Sequence, residues 1–266
     1  MNSSWRQSRK FAFIATFILV IIGLVAYKVY PYINKPATCF DNKQNGDERG
    51  SDCGGSCKLV CITDVIPLDV KYAKAVATDA GLYDLAALVE NRNKDKDTHD
   101  GNIDYTFFVY DKSGSVIKTI PGSVTIPLGQ TFPIIVQNVP ITLSAGNDIS
   151  NVVLKIENNK PWQAQDSAYA NSFLKVTNID FKRNFNNISQ LKVSVKNLTK
   201  SYFRNIPVNV LLFDSNHNLI ATNSTILKDI QSSGSEDVVF TWRSPLSLTD
   251  PKIEVYPVIT PYTYIK

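Results

Sequence analysis

One stretch near the start of the chain stands apart from everything after it. From Phe11 to Tyr27 there is no charged residue, and the run ends at Lys28. Eleven of these positions are Phe, Ile, Leu or Val. At roughly −0.3 to −0.6 kcal/mol each they favour bilayer insertion by about 3–7 kcal/mol. Carried through Tyr30, the segment spans 11–30, enough for a helix to cross about 30 Å of hydrocarbon. A surface helix would show a polar face, and this one has none. A cleaved signal peptide would have a shorter apolar core ending at small residues, whereas bulky Tyr27, Val29 and Tyr30 follow here. The pattern predicts an uncleaved transmembrane helix.

The flanks predict its direction. Arg6, Arg9 and Lys10 precede the segment, and Asp41, Asp47, Glu48 and Asp52 follow it. The positive side stays in the cytoplasm, so residues 1–10 form a cytoplasmic tail and the rest lies outside. Trp5, Tyr27, Tyr30 and Tyr32 are suited to the interfaces.

Beyond residue 62 the pattern changes to short alternating runs separated by Gly, Pro, Asn, Asp and Ser. Leu191, Val193 and Val195 alternate with Lys192, Ser194 and Lys196, the signature of half-buried strands. Val238, Phe240 and Trp242 repeat it, as do Ile253 and Val255. Pro133 and Pro207 fall inside apolar runs, which predicts edge or bulged strands. The region also reads as two similar halves. In one, Leu88-Val89-Glu90-Asn91 leads through a loop to Phe107-Phe108-Val109-Tyr110-Asp111-Lys112-Ser113-Gly114. In the other, Ser194-Val195-Lys196-Asn197 leads to Val210-Leu211-Leu212-Phe213-Asp214 and then Ser215 to His217. The Asn-to-Asp distance is 20 positions in the first and 17 in the second, and the difference fits within the charged loop at 94–101. An Asn leaving a strand caps a loop through its side chain, and the Asp ends a strand at a tight hairpin. The expectation is an all-β body of two tandem β-sandwich domains, 62–157 and 171–266. A linker at 158–170 carries Trp162, which is expected to pack between them.

The repeats resemble FxLYD-type domains, which are immunoglobulin-like sandwiches. Asn91, Phe107, Tyr110, Asp111 and Gly114 carry the likeness in the first copy, and Asn197, Phe213 and Asp214 in the second. The second departs at Val210, Phe213 and His217, which stand in place of Phe, Tyr and Gly. The resemblance implies that these residues are structural.

All four cysteines, Cys39, Cys53, Cys57 and Cys61, fall in a collar at 31–61. In an oxidising compartment they predict two disulfides, and four cysteines allow three pairings. The spacing lacks the paired C-x2-C of a zinc site. The stretch from Cys39 through Asp41, Asn45-Gly46-Asp47-Glu48, Gly50, Asp52-Cys53-Gly54-Gly55 to Cys57 resembles a module recurring in bacterial surface and secreted proteins, which implies location rather than activity. Asp41 to Asp52 also spans twelve positions with Gly46 sixth, like a calcium loop in which Asp41, Asn45, Asp47 and Asp52 supply oxygens. Lys43 and the missing final Glu depart from that pattern, and a disulfide-pinned solvated turn is the competing expectation.

The remaining chemistry is sparse. A net charge of +4 without basic runs gives no nucleic-acid footprint. His99, among Asp95, Asp97 and Asp100, and His217 at a hairpin tip have no nucleophile placed by a motif. The Asn-x-Ser/Thr sequences that begin at Asn187, Asn197 and Asn223 are expected to be coincidental. No catalytic residue or resident cofactor is expected. The expectation is a single-pass cell-membrane protein presenting sandwich domains to a protein or envelope partner. The alternatives are a subunit of an envelope assembly or secretion complex and an enzyme with a site at the domain junction.

Overall fold

The computed structural model describes residues 3–33, 38–79, 81–98, 101–143, 146–157, 160–165, 173–185, 188–243, 245–246, 250–260 and 263–265. The chain divides into two compact units, residues 1–61 and 62–266.

The first unit contains helix α1 (Ser3–Ile33), the collar and the two-residue strand β1 (Leu59–Val60). The helix overruns the predicted 11–30 at both ends, because helical hydrogen bonding does not stop where the apolar run does. Pro31 lies in its last turn. From Arg9 to Pro31 it is long and apolar enough to cross a membrane, and the side chains of that stretch are all exposed.

The second unit is built of antiparallel strands. Its first half contains β2 (Asp69–Asp79), β3 (Leu82–Glu90), β4 (Lys96–Thr98), β5 (Asn102–Asp111), β6 (Val116–Thr125), β7 (Thr131–Pro140) and β8 (Ile149–Glu157). The second half contains β10 (Leu174–Phe185), β11 (Ile188–Asn197), β12 (Tyr202–Phe213), β13 (Leu219–Ile230), β14 (Ser235–Trp242), β15 (Lys252–Pro257) and β16 (Tyr264–Ile265). Between the halves, β9 (Trp162–Ala164) pairs with β4 and buries Trp162.

The two halves share one strand order. The first half makes sheets β2-β3-β7 and β6-β5-β8, and the second makes β10-β11-β14 and β13-β12-β15, with β16 pairing the start of β12. Numbered within each half, the six principal strands join in both cases as first-second-fifth and fourth-third-sixth. The duplication read from a few sequence positions therefore extends to the connectivity.

Alternation determines what is buried. Ile103, Tyr105, Phe107 and Val109 of β5 point inward, with the residues between them half-exposed. In the second half Leu191, Val193 and Val195 of β11 join Val208, Val210 and Leu212 of β12 and Val238 and Phe240 of β14 in one cluster, so the two sheets share a core. Pro133 lies on edge strand β7, as predicted. Pro207 does not lie on an edge, since β12 is central. Its missing N–H is tolerated because it falls in the gap between the β16 pairing at Tyr202–Phe203 and the β15 pairing that begins at Val208.

A second cluster joins the halves. Ala86 of β3 with Leu211 and Phe213 of β12 are buried together, with Tyr72, Leu88, Ile135, Leu219 and Tyr256 against them. These residues lie on the strand faces opposite the cores. The β2-β3-β7 sheet of one half is thus covered by the β13-β12-β15 sheet of the other. Strands β3 and β12 are apolar on both faces for this reason: from Val208 to Phe213 every residue is buried.

Candidate functional site

The collar places its four cysteines in two disulfides, Cys39–Cys57 and Cys53–Cys61, and no free thiol remains. Zinc thiolate ligation is therefore excluded for this form of the chain. The collar's oxygen-bearing side chains bond within the segment. Asp52 accepts the backbone N–H groups of Asp41 (2.9 Å) and Asn42 (2.8 Å). Asp41 accepts from the Thr38 hydroxyl (2.7 Å), the Lys43 N–H (2.9 Å) and the Asn45 amide (3.0 Å). The Thr38 bond leads the interactions that hold the Asp41 carboxyl below the usual range. Asp47 accepts from the Ser56 hydroxyl (2.8 Å). Of the four oxygens predicted for calcium, those of Asp41 and Asn45 are brought together through Thr38. Among the described residues the carboxylates of Asp41, Asp47 and Asp52 do not gather within ligand distance of one another.

Two further residues shape this loop. Glu48 is buried and accepts the Asn45 N–H (3.0 Å), and it lies beside the Cys39–Cys57 disulfide. Gly55 has φ +60°, and a Cβ there would collide with the Asp47 carbonyl.

The repeated Asn and Asp positions bond within their own turns in both halves. Buried Asn91 donates to the Pro127 carbonyl (2.8 Å) and accepts from the Asn93 N–H (2.9 Å). Buried Asn197 donates to the Gln231 carbonyl (2.9 Å) and accepts from the Thr199 N–H (2.9 Å). Its amide is thus buried and occupied in the folded chain, while Asn187 lies outside the described residues. Asp111 accepts from Ser113 and Ser115 within its hairpin and from Asn147 (2.9 Å). Those bonds, Ser113 first and Asn147 second, hold its carboxyl down at about 2. Asp214 repeats the turn with Asn216 and Asn218 (2.8 Å each) and is likewise held low, Asn218 first. Gly114 (φ +81°) and His217 (φ +62°) occupy the same turn position. Phe107 is in the core and Tyr110 is half-buried. Phe213, at Tyr110's place in the repeat, turns into the contact between the halves, edge-on to Tyr72 at 6.4 Å. Burial, helped by the charge of Glu254, pushes the Tyr72 hydroxyl up to about 12.

The charged loop after β3 is only partly within view, since His99 and Asp100 lie outside the described residues. Asp97 is fully buried on β4 and accepts the Thr98 N–H (2.7 Å), and its other oxygen has no hydrogen-bond partner among the described residues. Burial pushes its carboxyl up to about 6.

A cleft of about 290 Å³ lies between the halves, lined by residues of β2, β3 and β7 on one side and β13 and β14 on the other. Its foundation is Asp84, which is buried although it sits in the middle of an apolar strand. One oxygen accepts the Asn138 N–H (2.9 Å) and the other accepts the Thr222 hydroxyl (3.0 Å), so one carboxylate ties the two halves. Opposite Asp84 the β3–β7 register slips between Tyr83↔Val139 and Leu85↔Val136, leaving Gln137 and Asn138 as a bulge. Asn138 takes φ +56° there. Trp242, half-buried, donates its indole N–H to the Thr222 carbonyl (3.0 Å) and meets Phe181 edge-on at 6.4 Å. Sequence reading identified the Trp242 strand but not Asp84 or the bulge. The available signal was one charge inside an otherwise apolar run, Leu82 to Val89.

The chain matches no protein-family model and no curated protein in sequence. Among solved structures it is similar to red sea bream transglutaminase, at 13% identity and a TM-score of 0.25, over 76% of this chain and 29% of that one. It is also similar to a GH2 β-galacturonidase from Eisenbergiella tayi bound to glycerol, at 10% identity and a TM-score of 0.19, over 73% of this chain and 38% of that one. The chain thus spans well under two thirds of either protein, and neither likeness assigns it an activity.

Proposed function

We propose that the chain is a non-catalytic, single-pass membrane protein with its first ten residues in the cytoplasm. Two immunoglobulin-like sandwich modules outside the membrane then present a recognition surface to a protein or cell-envelope partner. One observation carries this reading: a 23-residue apolar helix segment, Arg9–Pro31, exposed along its length, is followed in the sequence by a segment whose four cysteines are all in disulfides. A bilayer accounts for the first feature and an oxidising compartment for the second. The basic residues before the helix and the acidic ones after it favour the stated direction.

The repeated strand order, in two antiparallel sheets of three principal strands per half, is in keeping with small immunoglobulin-like sandwiches and with the FxLYD resemblance. The residues that carry that resemblance serve turns, caps and cores, as expected of modules whose function lies on their surfaces. Alkaline washing of membranes, combined with photo-crosslinking from exposed Ile226 and Val239, tests the proposal. The chain should stay in the membrane pellet and give a discrete adduct with an envelope component. Release into the wash would contradict it.

A further inference from the structure

We propose that the cleft between the two halves binds a saccharide and takes one pyranose unit of an uncharged glycan. The inference rests on the reading of the halves as outward-facing modules. At about 290 Å³ the cleft is at the small end of ligand pockets, a size suited to one sugar ring. Its lining combines the amides of Gln137 and Asn223 and the hydroxyls of Thr78 and Thr241 with the indole of Trp242. Amides and hydroxyls both donate and accept, which matches the hydroxyl groups around a pyranose. An indole supplies an apolar surface for the ring's C–H face. The guanidinium of Arg243 is offset by the carboxylates of Asp79 and Asp84, so the lining does not favour an anion.

The site is built rather than incidental. Asp84 is only 4% exposed and fixes both walls, through Asn138 on one and Thr222 on the other. The same Thr222 holds the Trp242 indole through its carbonyl. The bulge turns Gln137 and Asn138 out of the regular strand alternation, and the left-handed conformation of Asn138 is a strain of the kind found at ligand sites. Across the cleft, the Gln137 amide approaches the Asn223 carbonyl oxygen at 3.5 Å, too long for a strong hydrogen bond. The Asn223 oxygen also accepts the Ser224 N–H at 2.8 Å, so it is the Gln137 amide to which a sugar hydroxyl would give a better partner. Such a preformed arrangement reduces the ordering cost of binding.

The test uses the full chain in detergent micelles with its three tryptophans labelled with nitrogen-15, and titrates N,N′-diacetylchitobiose and, separately, cellobiose. The indole signal of Trp242 is assigned from the Trp242→Phe variant. The expected result is a saturable shift confined to the Trp242 signal with at least one of the two sugars. Gln137→Ala, at an exposed position, should weaken that binding about three- to tenfold, the worth of one hydrogen bond. No Trp242 shift with either sugar up to about 50 mM, well beyond the millimolar range of weak sites, would overturn the proposal. So would equal shifts of all three indoles, or binding unchanged in Gln137→Ala. The titration does not depend on membrane orientation, so its failure would leave the outward-facing reading to be judged by labelling of intact cells.

Discussion

His217 holds a backbone conformation that Gly114 adopts without cost in the equivalent turn. A side chain in the left-handed region costs roughly 1–2 kcal/mol. His217→Gly should therefore stabilise the second half by about 1 kcal/mol in denaturant unfolding, whereas Gly114→Ala should destabilise the first. Two carboxyls should give opposite pH dependences. Asp111 is held at about 2 when folded, below its unfolded value near 4. Its contribution is present above pH 4 and is lost as pH falls toward 2. Asp97 is raised to about 6, so the folded state holds an extra proton between roughly pH 4 and 6, and stability falls as pH rises through that window. Unfolding followed against pH should show Asp111→Asn removing part of the acid loss and Asp97→Asn flattening the decline above pH 4. At this scale the sequence was legible where a side chain bonds its own neighbourhood, as at Asn91, Asn197, Asp111 and Asp214. It was not legible at Asp84, whose partners Asn138 and Thr222 are 54 and 138 positions away.

Matching strands of the two halves differ in what covers them. β5 alternates between buried and half-exposed, whereas the run Val210 to Phe213 at the equivalent end of β12 is buried on both faces. The sequence already contains this difference, since Phe108 is followed by Val109-Tyr110 but Leu211 by Leu212-Phe213. Alternation finds one buried face of a strand, and it says nothing of a second covering brought by another sheet. Leu211→Ala should cost about 2–4 kcal/mol, as for a buried leucine, and Phe108→Ala distinctly less. Equal losses in chemical denaturation would contradict the covered face of β12. The position of Pro207 shows the same limit: a proline in an apolar run suggests an edge, yet a central strand accommodates it where pairing on one side lapses.

At the scale of the molecule, the contact through Ala86, Leu211 and Phe213 and the Asp84 tie should make residues 62–266 unfold in one cooperative transition. Two resolved transitions by calorimetry would mean that the halves are energetically independent. The all-β class and the duplication could be read from periodicity, and the disulfides from composition and compartment. The way one sheet covers another could not, because residues that meet there, such as Ala86 and Leu211, are far apart in the sequence. The broader account depends on where the chain lies. Impermeant biotinylation of intact cells, with epitope tags at the two ends, tests that most directly. The account predicts that the tag after residue 266 is accessible and the tag before residue 1 is reached only after the membrane is opened. Access to the first tag in intact cells, with the second protected, would contradict it.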